Sequence, residues 1–455
     1  MTNPSQVIDD YVQSHLDQSI SELTELCAQP SVSARSEGVR ECSSLIARIL
    51  ERHGFQVQVL ETPGNPVVVG HADGKSPNTF LFYNHYDVQP PEPLELWTTP
   101  PYEPTLREGA VYARGSADDK GEFIARIAAI EAARNANDGA LPCGITFVVE
   151  GEEEIGSPHI AQFVREHIDL LQSQAALWEG GGIDTLGNPG MTLGVRGILG
   201  VELAVETLSQ DAHSGGAHIF PNAAWRLIRA VTSLKDPDEK ICIPGFYDRV
   251  VPPSEQDLKL IDMLPDTEAW LRQAYGVKEF VGGLTGKDLD RAVFNNTCNI
   301  GGITTGYQGK GMKTVIPARA SAKIDFRLVP DQDPDDIFAR LRAYLDGQGF
   351  TDVSLTRLGS MWPYKAPADD PLIELTAESA EEVYQQPYFT EPLSGGSSPV
   401  YAFAKPLGNI PVVWAGVGYG NNRAHSPDEH VRLVDFVNGA RHIARIINAF
   451  PSVIL

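Results

Sequence analysis

Three things are scarce in this chain of 455 residues: paired cysteine, positive charge and long apolar stretches. Its five cysteines, Cys27, Cys42, Cys143, Cys242 and Cys298, are scattered, odd in number and without a CxxC pair. That argues against a disulfide framework and favours a reducing, cytoplasmic setting. Only 36 lysines and arginines stand against 60 acidic residues, a formal charge of -24. Such a surface repels nucleic-acid phosphates and anionic membranes, so neither is expected as a partner. No run approaches the ~18 apolar residues of a membrane span, and the first residues lack the basic-then-apolar pattern of a leader. Internal repeats and low-complexity tracts are absent too. What remains is a soluble chain, 42% hydrophobic, long enough at about 150 residues per domain for two or three domains.

The most informative stretch runs from Thr79 to Val88, an apolar and aromatic segment that stops at His85-Tyr86-Asp87. It reads as a buried strand of an α/β sheet, and the turns after such strands are where open parallel sheets gather their chemistry. His85 is a candidate metal ligand, with Asp87 holding its other ring nitrogen. Taken alone, the motif more often describes a buried histidine bonded to a nearby aspartate. Asp118-Asp119 follows Ala113-Arg114-Gly115-Ser116-Ala117 and precedes a helical pattern. Asp119 suits the N-cap and Asp118 a position shared between cations. The strand Gly144 to Val149 then runs into Glu150-Gly151-Glu152-Glu153-Glu154, where carboxylates at a sheet edge repel one another unless cations are bound. Ala175 to Trp178 delivers Glu179 ahead of three glycines that let the backbone turn closely. A late loop carries Arg423-Ala424-His425-Ser426-Pro427-Asp428-Glu429.

Elsewhere the apolar spacing predicts helices over Gln6–Leu26, Glu37–His53, Pro371–Tyr384 and Val434–Phe450. Between the ligand groups, strands at Ile198–Thr207, Thr297–Ile303, Thr314–Val329 and Val353–Met361 alternate with helices at Asn222–Leu234 and Asp335–Leu345. This β-α-β-β-α-β order describes a split βαβ sandwich. The expected architecture is therefore α/β: a catalytic domain of residues 1–194 and 364–455 with a mixed, mostly parallel sheet flanked by helices. A smaller α+β lid or dimerisation domain, residues 195–363, is inserted into it.

Together His85, Asp118, Glu154, Glu179 and His425 would give each of two divalent cations one imidazole and one terminal carboxylate, with Asp118 shared. Nitrogen and oxygen donors of this kind suit Zn2+, with Mn2+ or Co2+ as substitutes. Glu153, beside Glu154, is placed to take a proton from water and pass it to a leaving amine.

The succession His85-x-Asp87, Gly115-Ser116-Ala117-Asp118-Asp119-Lys120-Gly121, Glu150-Gly151-x-Glu153-Glu154-x-Gly156-Ser157 and the late His425 resembles the co-catalytic zinc exopeptidase and deacylase family. That family includes carnosine-type dipeptidases, aminoacylases, acetylornithine deacetylase and glutamate carboxypeptidases. The resemblance covers nearly the whole chain. It is nearest the dipeptidase branch through His85 to Trp97 and Gly311 to Ala318. It implies that His85, Asp118 and Glu179 hold one metal and His425, Asp118 and Glu154 the other, with Glu153 as general base and Asp87 supporting His85. It further implies a cis Asp118-Asp119 peptide and a homodimer in which His213 acts in trans on the oxyanion. Arg327 would grip the substrate carboxylate, and Gly396 and Ser397 would belong to a substrate loop. Glu179 departs from the aspartate of the dipeptidase branch and matches the aminoacylase and carboxypeptidase branches.

Three functions follow for comparison. The first is metal-dependent hydrolysis of small peptides, with deacylation of N-acyl amino acids or carboxypeptidase action as its variants. The second is a peptide- or amino-acid-binding protein without catalysis, which predicts a missing ligand or base; none is missing. The third takes Gly306 to Gly311 as a phosphate loop, but its spacing fits neither nucleotide-binding pattern.

Overall fold

A computed structural model describes residues 3–453, and the chain divides into two compact units. The first comprises residues 1–193, 366–392 and 402–455; the second, residues 194–365 and 393–401. Segment 393–401 thus groups with the second unit and not with the rest of the expected catalytic segment 364–455. The reason is local pairing: Ser394 N–H donates to Gly194 O, Arg196 N–H donates to Gly396 O, and Leu393 packs with Ile261 and Phe294.

The principal strands in chain order are β1 (Gln56–Leu60), β2 (Val67–Ala72), β3 (Thr79–His85), β4 (Gly144–Glu150), β5 (Ala175–Trp178), β6 (Gly197–Glu206), β7 (Thr297–Thr305), β8 (Arg319–Leu328), β9 (Ser354–Met361) and β10 (Val412–Trp414). The principal helices are α1 (Pro4–Ser14), α2 (Leu16–Cys27), α3 (Val39–Arg52), α4 (Lys120–Ala136), α5 (Ala223–Ser233), α6 (Pro334–Gly347), α7 (Pro371–Tyr384) and α8 (Leu433–Val453).

In the first unit the sheet order is β1-β2-β4-β3-β5-β10. The pairs β3 with β4, β3 with β5 and β5 with β10 are parallel, and β1–β2 and β2–β4 are antiparallel. Phe80, Leu81, Phe82 and Tyr83 of β3 are fully buried, so both faces of this strand are covered, as its unbroken apolar run requires. Phe82, Phe147 and Phe123 meet edge to face, and Tyr83 stacks on Trp178 with centroids 3.9 Å apart. That packing sets the height at which β3 and β5 end. Because the strands are parallel, His85, Glu150 and Trp178 emerge at one sheet edge.

The single helix expected over Gln6–Leu26 is two. The chain breaks at His15, whose backbone leaves the helical region and whose ring stacks on Tyr11. In the second unit the sheet order is β7-β8-β6-β9, all antiparallel, the arrangement of a split βαβ sandwich. Burial alternates along β6, and Leu199, Val201, Leu203 and Val205 join Leu227 of α5 and Leu341 and Leu345 of α6 in one core. The long strand expected over Thr314–Val329 is interrupted: Val315–Ile316 pairs instead with Ala212–His213, and β8 starts at Arg319. Pro317 lies in the gap and has no N–H to continue a ladder. Among the described residues, no helix is long and apolar enough to cross a membrane.

Candidate metal centre

His85 is the last residue of β3 and is 1% exposed. Its Nδ1 lies 3.0 Å from the backbone carbonyl of Asp87 and 3.5 Å from the Asp87 carboxylate. The carbonyl is therefore its nearer partner, a change from the side-chain contact expected. The Asp87 carboxylate instead accepts the backbone N–H groups of Glu153, at 3.2 Å, and Glu154, at 3.1 Å. It fixes the turn that presents both glutamates.

A carbonyl cannot donate, so Nδ1 carries the proton and Nε2 presents its lone pair. That lone pair faces Asp118 Oδ1 at 3.0 Å and Glu179 Oε2 at 3.6 Å. On the other side of Asp118, His425 Nε2 lies 2.9 Å from Oδ2 and 3.2 Å from Glu154 Oε2. One carboxylate thus sits between two imidazoles, each backed by a further carboxylate. Two imidazole nitrogens and three carboxylates converging in this way form a set of ligand atoms able to hold cations. The donor set fits two divalent ions of the nitrogen- and oxygen-seeking kind.

Asp119 also offers an oxygen to the His85 and Glu179 group, within the same 4.8 Å as the others. Its Oδ2, however, already accepts Asn84 Nδ2 at 2.6 Å and the His85 N–H at 3.0 Å. Asp119 occupies the N-cap position of α4, but its side chain makes no capping bond, contrary to the expectation for it. It is drawn to β3 and anchors the end of the ligand strand. The Asp118-Asp119 peptide is cis.

Electrostatics agree with a demand for positive charge. Burial, followed by the charge of Glu153, pushes Glu179 well above the ordinary carboxyl range. Burial also lifts Glu153 to about 7, with Asp118 and Glu154 adding to it. Hydrogen bonding to Asp118 and Glu154 raises His425 to about 10. Glu153 itself is half-buried at the start of the turn Glu153–Ile155.

Several supports are invisible as motifs. Gln89 Nε2 donates to Glu154 Oε2 at 2.8 Å. Glu429 is buried and accepts from Arg114 Nη1 at 2.5 Å and from the N–H groups of Gly115, Ala117 and Asp118 at 3.0 Å each. Arg114 and Glu429 lie within stretches already singled out, but nothing local says that two charges 315 residues apart are paired and buried. The glycines after Glu179 behave as expected. Gly182 has φ +124°, and a Cβ there would lie 2.2 Å from Gly418 O.

The other candidates belong to the second unit. His213 is exposed; its Nδ1 accepts the Gly215 N–H at 3.0 Å, which leaves Nε2 carrying the proton. Arg327 Nη1 donates to Ser397 Oγ at 2.6 Å, which brings two of the expected substrate residues together. Gly396 O accepts Arg196 N–H in the same segment.

Residues 81–449 match the model of peptidase family M20/M25/M40. The chain belongs to that family. This M20 peptidase is similar to the Cys-Gly metallodipeptidase dug1 of Schizosaccharomyces pombe, with 27% identity over 91% of this chain and 89% of the relative. It is similar to the human Beta-Ala-His dipeptidase at 28% identity, over 95% of this chain and 90% of the relative. Among solved structures it superimposes on the M20 family metallo-carboxypeptidase Sso-CP2 of Sulfolobus solfataricus with a TM-score of 0.90, 33% identity and coverage of 95% and 99%. The catalytic sheet and the inserted α+β domain are accordingly those of an M20 metallopeptidase.

Proposed function

We propose that this M20 peptidase is a zinc dipeptidase, cutting the amide bond of small peptides that carry a free carboxylate. The observation that carries the reading is the Asp118 carboxylate set between His85 Nε2 and His425 Nε2, each with its own glutamate. His85, Asp118 and Glu179 would hold one ion, and His425, Asp118 and Glu154 the other. Bound zinc would supply Lewis acidity, polarising the scissile carbonyl and acidifying a water. Glu153 is the group that accepts the water's proton and returns it to the departing amine, a role suited to a carboxylate that stands beside the ligand Glu154 without being a ligand itself. Asp87 supports this by fixing the backbone of Glu153 and Glu154.

In the second unit, His213 presents an Nε2–H suited to an oxyanion, and in our reading it acts in trans within a homodimer. Arg327, steadied by Ser397 beside Gly396, offers the forked donor that a terminal carboxylate takes best. The names of the dipeptidase relatives favour dipeptides over N-acyl amino acids. A cytoplasmic location fits five thiols without a disulfide.

The test is amine release from a panel of free dipeptides, N-blocked dipeptides and N-acetyl amino acids, with chelator and with zinc restored. Hydrolysis of free dipeptides, abolished by chelator and recovered with zinc, is expected. Equal or faster cleavage of N-blocked dipeptides would replace the reading with carboxypeptidase action, and chelator-resistant turnover would overturn the metal mechanism. Mixing His213→Ala with Glu153→Ala subunits should restore part of the rate; no recovery refutes action in trans.

A further inference from the structure

The end of β3 and the end of β5 carry His85 and Glu179, yet these neighbouring strands stop pairing before either ligand is reached. Among the described residues, the β3–β5 register ends at Phe82 with Leu177. On its other side β3 stays paired with β4 as far as His85 with Glu150, and β5 stays paired with β10 through Trp178 with Trp414. The two strands part at one place only, directly beneath the centre.

The Arg126 guanidinium fills that parting. It is fully buried, and it reaches both strands at once: Nη1 donates to Tyr83 O at 2.5 Å and Nη2 to Trp178 O at 2.5 Å. Nη1 also donates to Asn84 Oδ1 at 2.8 Å, which turns the Asn84 amide so that Nδ2 meets Asp119. One turn earlier on α4, Glu122 is 3% exposed and lies 3.4 Å from Arg126 Nη2. Its Oε2 accepts the Gly180 N–H at 2.7 Å, and a Cβ on Gly416 would lie 2.4 Å from its Oε1. The residues on both sides of Glu179 are therefore tied to one turn of α4, Trp178 through Arg126 and Gly180 through Glu122.

A planar fork with donors in fixed directions can hold two carbonyls at a set separation, which a single ammonium cannot. Closing the strands into a regular ladder would bring their ends together and remove the space in which His85 Nε2 and Glu179 Oε2 stand 3.6 Å apart. The geometry points to Arg126 and Glu122 as positioning residues for one of the two cations, the one between His85, Asp118 and Glu179. They touch no reacting atom. This rests on the di-metal reading of the centre.

The test is zinc titration of the metal-free full-length protein against a chromophoric chelator, resolving two sites, for wild type, Arg126→Met, Arg126→Lys and Glu122→Gln. Loss of support behind metal ligands costs about tenfold to a hundredfold in affinity. Arg126→Met should weaken one site by that factor and leave the other within threefold, with Arg126→Lys intermediate. The weakened site is identified by combination. Added to Glu179→Ala, Arg126→Met should change little further; added to Glu154→Ala, it should leave no tight site. Equal weakening of both sites, or unchanged binding in a protein of lowered thermal stability, would make Arg126 a structural residue only and overturn the inference. If Arg126→Met does not fold, Arg126→Lys and Glu122→Gln carry the same comparison. Wild-type protein that binds fewer than two zinc ions refutes the di-metal reading itself, whereas two wild-type sites that persist in the variants refute only the positioning role.

Discussion

Replacing Glu429 by glutamine should expose how much of the centre depends on a buried ion pair. The Arg114 and Glu429 side chains are each 1% exposed, so neither charge can be rescued by water. Glutamine keeps the shape but offers one acceptor oxygen where there were two. Oε2 serves Arg114 and Gly115 N–H, and Oε1 serves Ala117 and Asp118 N–H. Whichever way the amide lies, its NH2 faces two donors, and the Arg114 charge loses its partner. Breaking a buried pair costs about 3–5 kcal/mol, and hydrogen bonds to a charged group are worth about 1.5–3 kcal/mol each. We expect a loss of about 4 kcal/mol. Arg114→Met should cost about 3 kcal/mol, because the carboxylate keeps its three backbone donors. The double variant should lose less than both combined, by about 2 kcal/mol, since the second change removes a group already stranded. The assay is urea and thermal unfolding of chelator-treated protein followed by circular dichroism, where Glu429→Gln should melt about 4 °C lower. A change under about 0.5 kcal/mol, or strict additivity of the two variants, would refute the claim that this pair holds the Asp118 loop.

Three further outcomes are expected. Glu153→Gln should keep two metal equivalents by elemental analysis and lose about a hundred- to ten-thousand-fold in kcat/KM; a wild-type rate would remove Glu153 from the proton transfer. His53, set between Glu22 at 3.1 Å and Glu131 at 3.2 Å with Tyr11 and Arg134 close by, is lowered by burial but raised more by the two carboxylates, to about 9. Its folded value lies above the unfolded value near 6.5, so its stabilisation is complete below pH 6.5 and disappears as pH rises through 9. His53→Gln should therefore cost up to about 3 kcal/mol at pH 6 and little at pH 9.5, a ceiling shared with the lowered carboxyl of Glu131; equal losses at both would refute it. Gly182→Ala combines a positive φ with a backbone clash and should cost about 3 kcal/mol in the melt of the metal-free protein, with zinc affinity falling as the Glu179 loop shifts; neutrality would show that the loop yields.

Much of the ligand arrangement is legible in the sequence. An apolar run covered on both faces must end where the sheet ends, so His85, Glu150 and Glu179 were legible as strand-end groups from local pattern alone. The alternation in β6 and the helix signals in α5 and α6 likewise disclosed the inserted sandwich. The fold departs from the local pattern where a non-local partner outcompetes a local one. Asp119 has the makings of a cap but turns to Asn84 and the His85 N–H, and the Asp87 carboxylate, 3.5 Å from His85 Nδ1, also accepts both N–H groups of the Glu153–Glu154 turn. The strand expected over Thr314–Val329 is cut at Pro317 because its first residues find Ala212 and His213.

The residue order of this chain thus determined which side chains are available for metal and proton chemistry and roughly where each strand delivers them, because periodicity and termination are local properties. Only the tertiary structure decided that Asp119 turns to Asn84 and the His85 N–H, that Arg126 separates two strand ends, and that Glu429 and Arg114 neutralise each other out of reach of water. Buried charge has no signature in sequence. Its cost is met by partners hundreds of residues away, and that pairing exists only once the chain has folded.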